Sequence, residues 1–426
     1  MKAGVSCKNI TPPTRTRLAD HTRYSTGIHD PLFVKPLVLD DGQTAVAIVC
    51  IDLLNGSFEF CDEMRRRIDE RTGIKHILLN FSQTHSAPGT VDIPEEPHEK
   101  EWIELVERSI LDAVEEAYAN RISASLYAGQ APVQIGFNRR LADEFGVTVM
   151  AVNEAAAAVP WANVLQVRAE GGNTLAVLFE HAAHPVIVHN SSSLTGADFP
   201  GFAVQRIEET LGGGVVAMFA QGCCGNINGY PLRSGWEKAE EAGRKLGDAV
   251  LQTLHTTAAI KADKLTVESR RIALPTQKLP SMEQWEETCA RLKSLDLHAY
   301  AHRKEQLEGI KETIERGEQP ELRFDINAIM LGSEWCLLTM THEPFAEYEL
   351  WVSENSPFTN TMVFGDTNGM VTYVATDEEL ARGEKGGYEA GAFPSLWSHN
   401  VRVLHTSLDI GTEGAIKDAV MSLWAN

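Results

Sequence analysis

The chain has 426 residues, 43% hydrophobic and 23% charged, the balance of a soluble globular protein with enough apolar material for a sizeable core. Its formal charge of −21 excludes nucleic acid or an anionic membrane as the natural partner. No apolar segment opens the chain (MKAGVSCKNITPP) and no uncharged apolar run reaches about 18 residues, so neither a signal peptide nor a membrane span is expected. The seven cysteines, Cys7, Cys50, Cys61, Cys223, Cys224, Cys289 and Cys336, lack CxxC spacing, which fits reduced thiols in a cytoplasm.

In chain order, Phe33 to Leu39 predicts a strand closed by an Asp40-Asp41-Gly42 turn, and Thr44 to Asp52 a strand buried on both faces. Glu59 to Arg71 predicts a helix stopped at Gly73, followed by a strand over Ile77 to Phe81, together a βαβ unit. A loop with Pro88, Pro94 and Pro97 suits either a lid or a plain acidic loop. Glu101 to Asn120 carries the apolar stripe of an amphipathic helix. Short strands are expected through 123–129, 146–152, 162–168 and 174–181, with Gly136 to Arg140 in a loop among them. Then come a helix over Gly201 to Leu211, a strand over Val215 to Ala220 and a helix over Glu237 to His255. Residues 281–318 read as an inserted helical hairpin. Arg323 to Thr341 read as two strands turning at Gly332-Ser333, and His342 as the start of a helix. Thr361 to Phe364 is a strand, Gly365 to Gly391 a glycine-rich loop, and 413–425 a closing helix. No internal repeat is visible in the sequence.

Polar groups cluster where these elements end. The stretch LLNFSQTHSAPG runs from a buried strand into Gln83, His85 and Ser86, and ligands in open α/β sheets bind outside the carboxyl ends of strands. His181-Ala-Ala-His184 follows another strand, His342-Glu343 sits at a strand-to-helix junction, and the glycine-rich loop holds Tyr373 and Tyr388. Two or three histidines with a carboxylate are a catalytic zinc set. Taken singly, each has a plain structural reading: a HxxH pair is commonly one core and one surface histidine, and a carboxylate at a helix start complements the dipole. Gly222-Cys223-Cys224-Gly225 is a poor match to a nucleophile elbow and equally suits small residues packing a tight turn.

The stretches AGVSCKNITPP, GIHDPLFVKPLVLDD, IDLL, SQTHSAPG, GFNRR, HAAHPV, ADFPGF, FAQGCCGNIN, HEPF, TNGMVTYV and GGYEAG, in this order, resemble the catalytic domain of the neutral/alkaline (non-lysosomal) ceramidase family of zinc-dependent amide hydrolases. The resemblance implies an α/β fold, a mixed central β-sheet flanked by helices, as one domain over 1–426 with 281–318 inserted. It implies zinc ligands at His184, Glu343 and Tyr373. The family's first ligand histidine falls on Gln83, a weaker zinc donor than imidazole. Three outcomes stay open: Gln83 is a ligand or bystander, His85 or His181 moves in, or the metal is lost. The resemblance further implies attack by a metal-activated water, His85 as proton relay or substrate contact, and Arg139 and Tyr388 as oxyanion partners. His181, Asp198 and Asn226 fall to supporting or substrate-facing roles, with a surface ion pair as the plain reading of Arg139 and Asp198. Longer ceramidases carry an immunoglobulin-like domain and a secretion signal absent here, so a small soluble amide, ester or sugar derivative is expected rather than ceramide. Lyase or isomerase chemistry on a polar substrate such as a carbohydrate acid, and ligand binding without catalysis, are the alternatives. Whether the chain forms a homo-oligomer is left open.

Overall fold

The computed structural model describes residues 1–19, 23–90, 96–261 and 263–425. Three units of the same connectivity make up most of it. The first is β1 (Lys2–Val5), β2 (Phe33–Asp40), β3 (Ala45–Ile51), α1 (Phe58–Thr72), β4 (His76–Phe81) and α2 (Pro97–Ala119). The second is β5 (Ile122–Pro132), β6 (Trp161–Ala169), β7 (Thr174–His181), α3 (Asp198–Leu211), β8 (Val216–Gln221) and α4 (Trp236–Thr253). The third is β9 (Leu265–Leu274), β10 (Leu322–Leu331), β11 (Trp335–Met340), α5 (Ala346–Asn355), β12 (Asn360–Phe364) and α6 (Thr412–Trp424). In each, the first three strands pair antiparallel, and the third pairs parallel with the fourth across a helical crossover. β1 pairs antiparallel with β5, which joins units one and two into one mixed sheet. The third unit forms a separate four-stranded sheet. The repeat lies in the pairing and not in the residues, which is why the sequence shows none.

Burial explains the continuous apolar strands. Side chains alternate between the faces of a strand. In β3, Ala47, Val49 and Ile51 pack with residues of α1 and α2, while Val46, Ile48 and Cys50 face a core shared by all three units. β7 divides Val177 and Phe179 from Ala176 and Leu178 in the same way. β11 divides Cys336 and Leu338 from Trp335 and Leu337. Both faces are covered, so polar alternation is missing.

Local signals place most boundaries. α1 starts on Ser57, whose side chain accepts from Phe60 N, and ends on Gly73 at φ 76, a left-handed C-cap that glycine adopts without strain. Three expectations are corrected. Gly136 to Arg140 is not a loop but part of the strand Gly136–Ala142, paired with Ile227–Gly229 and Thr148–Asn153. Its own residues run Gly-Phe-Asn-Arg-Arg-Leu-Ala, without the apolar alternation that marks a strand. His342 does not open a helix: it has φ 64, Glu343–Pro344 form a short strand with Tyr373–Val374, and the helix begins at Ala346. Pro344 biases Glu343 away from helical backbone. The 281–318 insertion is three helices rather than two, Met282–Leu295, Leu297–His302 and Lys304–Arg316. The expected lid includes 91–95, outside the described residues. No helix among the described residues is long and apolar enough to cross a membrane.

Candidate active site

The parallel strand pairs of all three units send their carboxyl ends to one place. Two buried amides tie them together. Asn80, near the end of β4, directs Nδ2 to Gln221 O (3.2 Å) and Gly365 O (2.9 Å), and its Oδ1 accepts from Gln221 N (2.8 Å). Gln221, ending β8, donates through Nε2 to Ser82 O and Ala183 O, both at 3.0 Å. The sequence reading passed over both residues. Their signal is a single amide interrupting an apolar run, LLNF and FAQG.

At the centre stands His184, fully buried. Its Nδ1 lies 2.7 Å from Cys224 O and 2.9 Å from Ile227 O, and its Nε2 lies 2.9 Å from Glu343 Oε2. Carbonyls only accept, so Nδ1 carries the hydrogen. A neutral ring then turns its Nε2 lone pair onto a carboxylate, and that contact requires a shared proton or a cation between them. Burial pushes the Glu343 carboxyl up, but the His184 contact and the Arg139 charge outweigh it and hold it below the ordinary range. Tyr373 is paired in register with Glu343, and its ring stacks 6.3 Å from that of His184. Burial raises the Tyr373 phenol well above its usual value, a cost that a bound cation would relieve.

The residues here that could hold a divalent metal are His184, Glu343 and Tyr373. Carbonyl acceptors fixing the far nitrogen are the usual support of a metal-binding histidine. Gln83 does not complete the set as it stands. Its Oε1 faces Cys224 Sγ at 3.0 Å, and its backbone is left-handed at φ 63. Among the described residues no three His, Cys, Asp or Glu side chains stand together as a metal-holding group.

A cavity of about 580 Å³ opens over this centre, lined by Gln83, His85, Glu343, Tyr373, Tyr388 and His399. His85 stacks on His189 at 5.0 Å, and its Nε2 is buried without a hydrogen-bond partner. Burial, then the neighbouring His189, His184 and Arg139, lowers its pKa well below the usual histidine value, so it stands neutral at pH 7. The Tyr388 hydroxyl lies 3.3 Å from His399 Nδ1, and His399 Nε2 donates to Val371 O at 3.1 Å. His399 was missed in the sequence because nothing around WSHN marks it.

The other expected residues stand behind this lining. Arg139 is buried, with Nε on Glu389 (2.7 Å), Nη1 on Asn228 (2.9 Å) and Nη2 on Gly225 O (3.0 Å). Its guanidinium lies 5.2 Å from the Tyr373 ring centroid, so it braces the tyrosine rather than facing the cavity. His181 accepts from Ile135 N (3.2 Å) and donates to Trp161 O (2.7 Å), which commits both nitrogens to backbone. Asp198 accepts from Val188 N (2.8 Å) and Phe199 N (2.6 Å), fixing the turn after His184 to the start of α3. Asn226 accepts from Ala346 N and donates to Glu347, both at 2.8 Å, and so anchors the helix that follows Glu343. Cys223 and Cys224 are buried and their thiols are pushed well up, which leaves no thiolate for an elbow nucleophile. The sequence also passed over Asp366, whose Oδ1 is buried without a partner and whose carboxyl burial raises well above its usual value.

The three units with their shared core and composite centre define an α/β fold of the ceramidase catalytic-domain type. No family model and no curated protein matches the sequence. A crystal structure of neutral ceramidase from Pseudomonas aeruginosa matches with a TM-score of 0.71 at 15% identity, over 99% of this chain and 73% of that one. A ceramidase complexed with C2 matches with a TM-score of 0.68 at 16% identity, over 98% of this chain and 75% of that one. At such identity the likeness is one of fold.

Proposed function

We propose that this chain is a metal-dependent hydrolase acting on a small soluble amide-type substrate, with zinc as the first metal to test. The observation that carries the reading is the 2.9 Å approach of His184 Nε2 to Glu343 with Nδ1 already committed to two carbonyls. His184, Glu343 and Tyr373 would hold the ion, and an ion there would polarise a substrate carbonyl. The chain's own groups supply the rest. The cavity is the size of a small-molecule site. His85, which lines this cavity with its Nε2 unpartnered, would accept a proton there. The Tyr388 hydroxyl would donate to a developing oxyanion by turning its hydrogen away from His399 Nδ1. Arg139 keeps Tyr373 in place. The ceramidases that share the fold are amide hydrolases by name, which supports the bond type.

The Tyr388–His399 hydrogen bond also favours a second reading, proton abstraction by a lyase or isomerase. Elemental analysis of purified protein separates the two, beside His184→Ala and with amides and esters offered as substrates. About one metal per chain, lost in the variant together with turnover, is expected. A variant retaining both would end the hydrolase reading.

A further inference from the structure

The inserted helices do not stand apart from the site. Cys289, Leu307 and Ile310 of the insertion pack with Leu396 and Val401, on the segment that carries His399. Between them lies a second cavity of about 490 Å³, which adjoins the inner one and shares Tyr388, His399 and Arg402 with it as a common wall.

The outer cavity has an unusual charge for a chain at −21. Arg303 and Arg402 both line it, and among the described residues neither meets a carboxylate: Arg303 lies 5.0 Å from the Trp397 ring centroid, and Arg402 donates to His399 Nδ1 at 2.8 Å. Glu305 is the acidic group in the lining, and it makes no ion pair with either arginine. Gln306 Nε2 is buried at the same wall without a hydrogen-bond partner. Trp397 is 75% exposed. Gln306 Nε2, buried without an acceptor, and the half-buried Arg303 guanidinium call for an acceptor-rich ligand, with the exposed Arg402 beside them. An exposed indole beside guanidinium groups supplies a flat apolar platform next to carboxylate readers.

We propose that this outer cavity is a subsite for an acidic sugar, with a ring on Trp397 and its carboxylate on Arg303 and Arg402, so that the substrate is an extended molecule whose uronate end lies outside the reacting bond. This rests on the inner site being where that bond is broken.

The test is calorimetric titration of the full-length protein with a uronate trisaccharide, a neutral glucose trisaccharide and inorganic phosphate. The uronate is expected to bind at least about tenfold more tightly than the neutral sugar, the scale of one charge-assisted hydrogen bond. Arg303→Gln and Arg402→Gln should each remove about that factor, while Arg303→Lys keeps part of it. Trp397→Ala should weaken both sugars. Thermal midpoints confirm that the variants fold. Equal binding of the two sugars, or arginine variants that bind as the parent does, would overturn the subsite. Phosphate binding as tightly as the uronate would overturn the sugar assignment. Because the readout is binding, uronate affinity without turnover of any amide or ester would sink the hydrolase reading alone. Amide turnover without uronate affinity would sink this inference alone.

Discussion

Replacing His184 tests the centre of the site directly. His184→Ala removes the group that faces Glu343 and leaves a carboxylate buried, with only 6% of its side chain exposed. Breaking one half of a buried pair costs about 3–5 kcal/mol, much of it the unpaired charge. Glu343→Gln leaves a neutral amide that can donate to the His184 Nε2 lone pair, so its cost should be nearer about 1 kcal/mol. Once His184 is gone, removing the charge of Glu343 relieves the unpaired carboxylate. The double variant should therefore be more stable than the sum of the singles, with a coupling of about 2 kcal/mol. The assay is urea unfolding at pH 7 with a chelator present, so that the cycle reads the side chains alone. Repeating it with zinc should raise the midpoint of the parent and not that of His184→Ala, since a metal that binds the folded state stabilises it by mass action. Additivity within about 0.5 kcal/mol would refute the pairing, and a zinc shift that survives His184→Ala would refute the ligand assignment.

Three further outcomes follow from the same geometry. Gln83→His keeps a residue type that tolerates left-handed backbone and should raise zinc affinity by about tenfold or more by adding an imidazole donor; competition with a chromophoric chelator measures it, and an unchanged affinity would mean that Gln83 does not face the ion. Arg139→Met should cost roughly 3 kcal/mol of stability by stranding Glu389, Asn228 and Gly225 O, and a variant of parental stability with lost turnover would return Arg139 to the oxyanion role. Burial holds His181 neutral, with its pKa lowered to about 4, so the unfolded chain takes up a proton that the folded one refuses. Its contribution is complete above the ordinary histidine value and is lost as pH falls towards 4. The urea midpoint of the parent should therefore fall more steeply over that window than that of His181→Asn, and parallel curves would contradict the assignment.

The strands and their order were legible where burial made them so. Thr44 to Asp52 and Val215 to Ala220 are apolar on both faces because two cores flank them, and such runs announce themselves. The strand through Arg139 was not legible, because its own run GFNRRLA places Asn138, Arg139 and Arg140 in succession and carries no apolar period. The resemblance singled out His184, Glu343 and Tyr373, and the structure brings them together from two different units. His399 and Asn80 were not singled out, since a lone histidine opening a short helix and a lone asparagine in a strand look alike whether or not they face a cavity. Arg139 was singled out as well, though its position in the sequence says nothing of the three acceptors that occupy it.

The three-unit arrangement explains why no single stretch reads as an active site. Each unit contributes the ends of two parallel strands, and chemistry arises only where they converge. The backbone there is strained: Gln83, His342 and Asp366 have φ of 63, 64 and 42, each at or just past the end of a strand. Left-handed backbone at such residues costs on the order of 1 kcal/mol or more each. It persists because hydrogen bonds fix the chain on either side: Asp366 O accepts from Phe81 N of the first unit, Asn368 N donates to Leu79 O of the same unit, and His342 N donates to Gly369 O within the third. Asn80 and Gln221 lock the same junction with side-chain amides. A substitution at Gln83 would change one side chain in the first unit and leave His184 of the second and Glu343 and Tyr373 of the third in position.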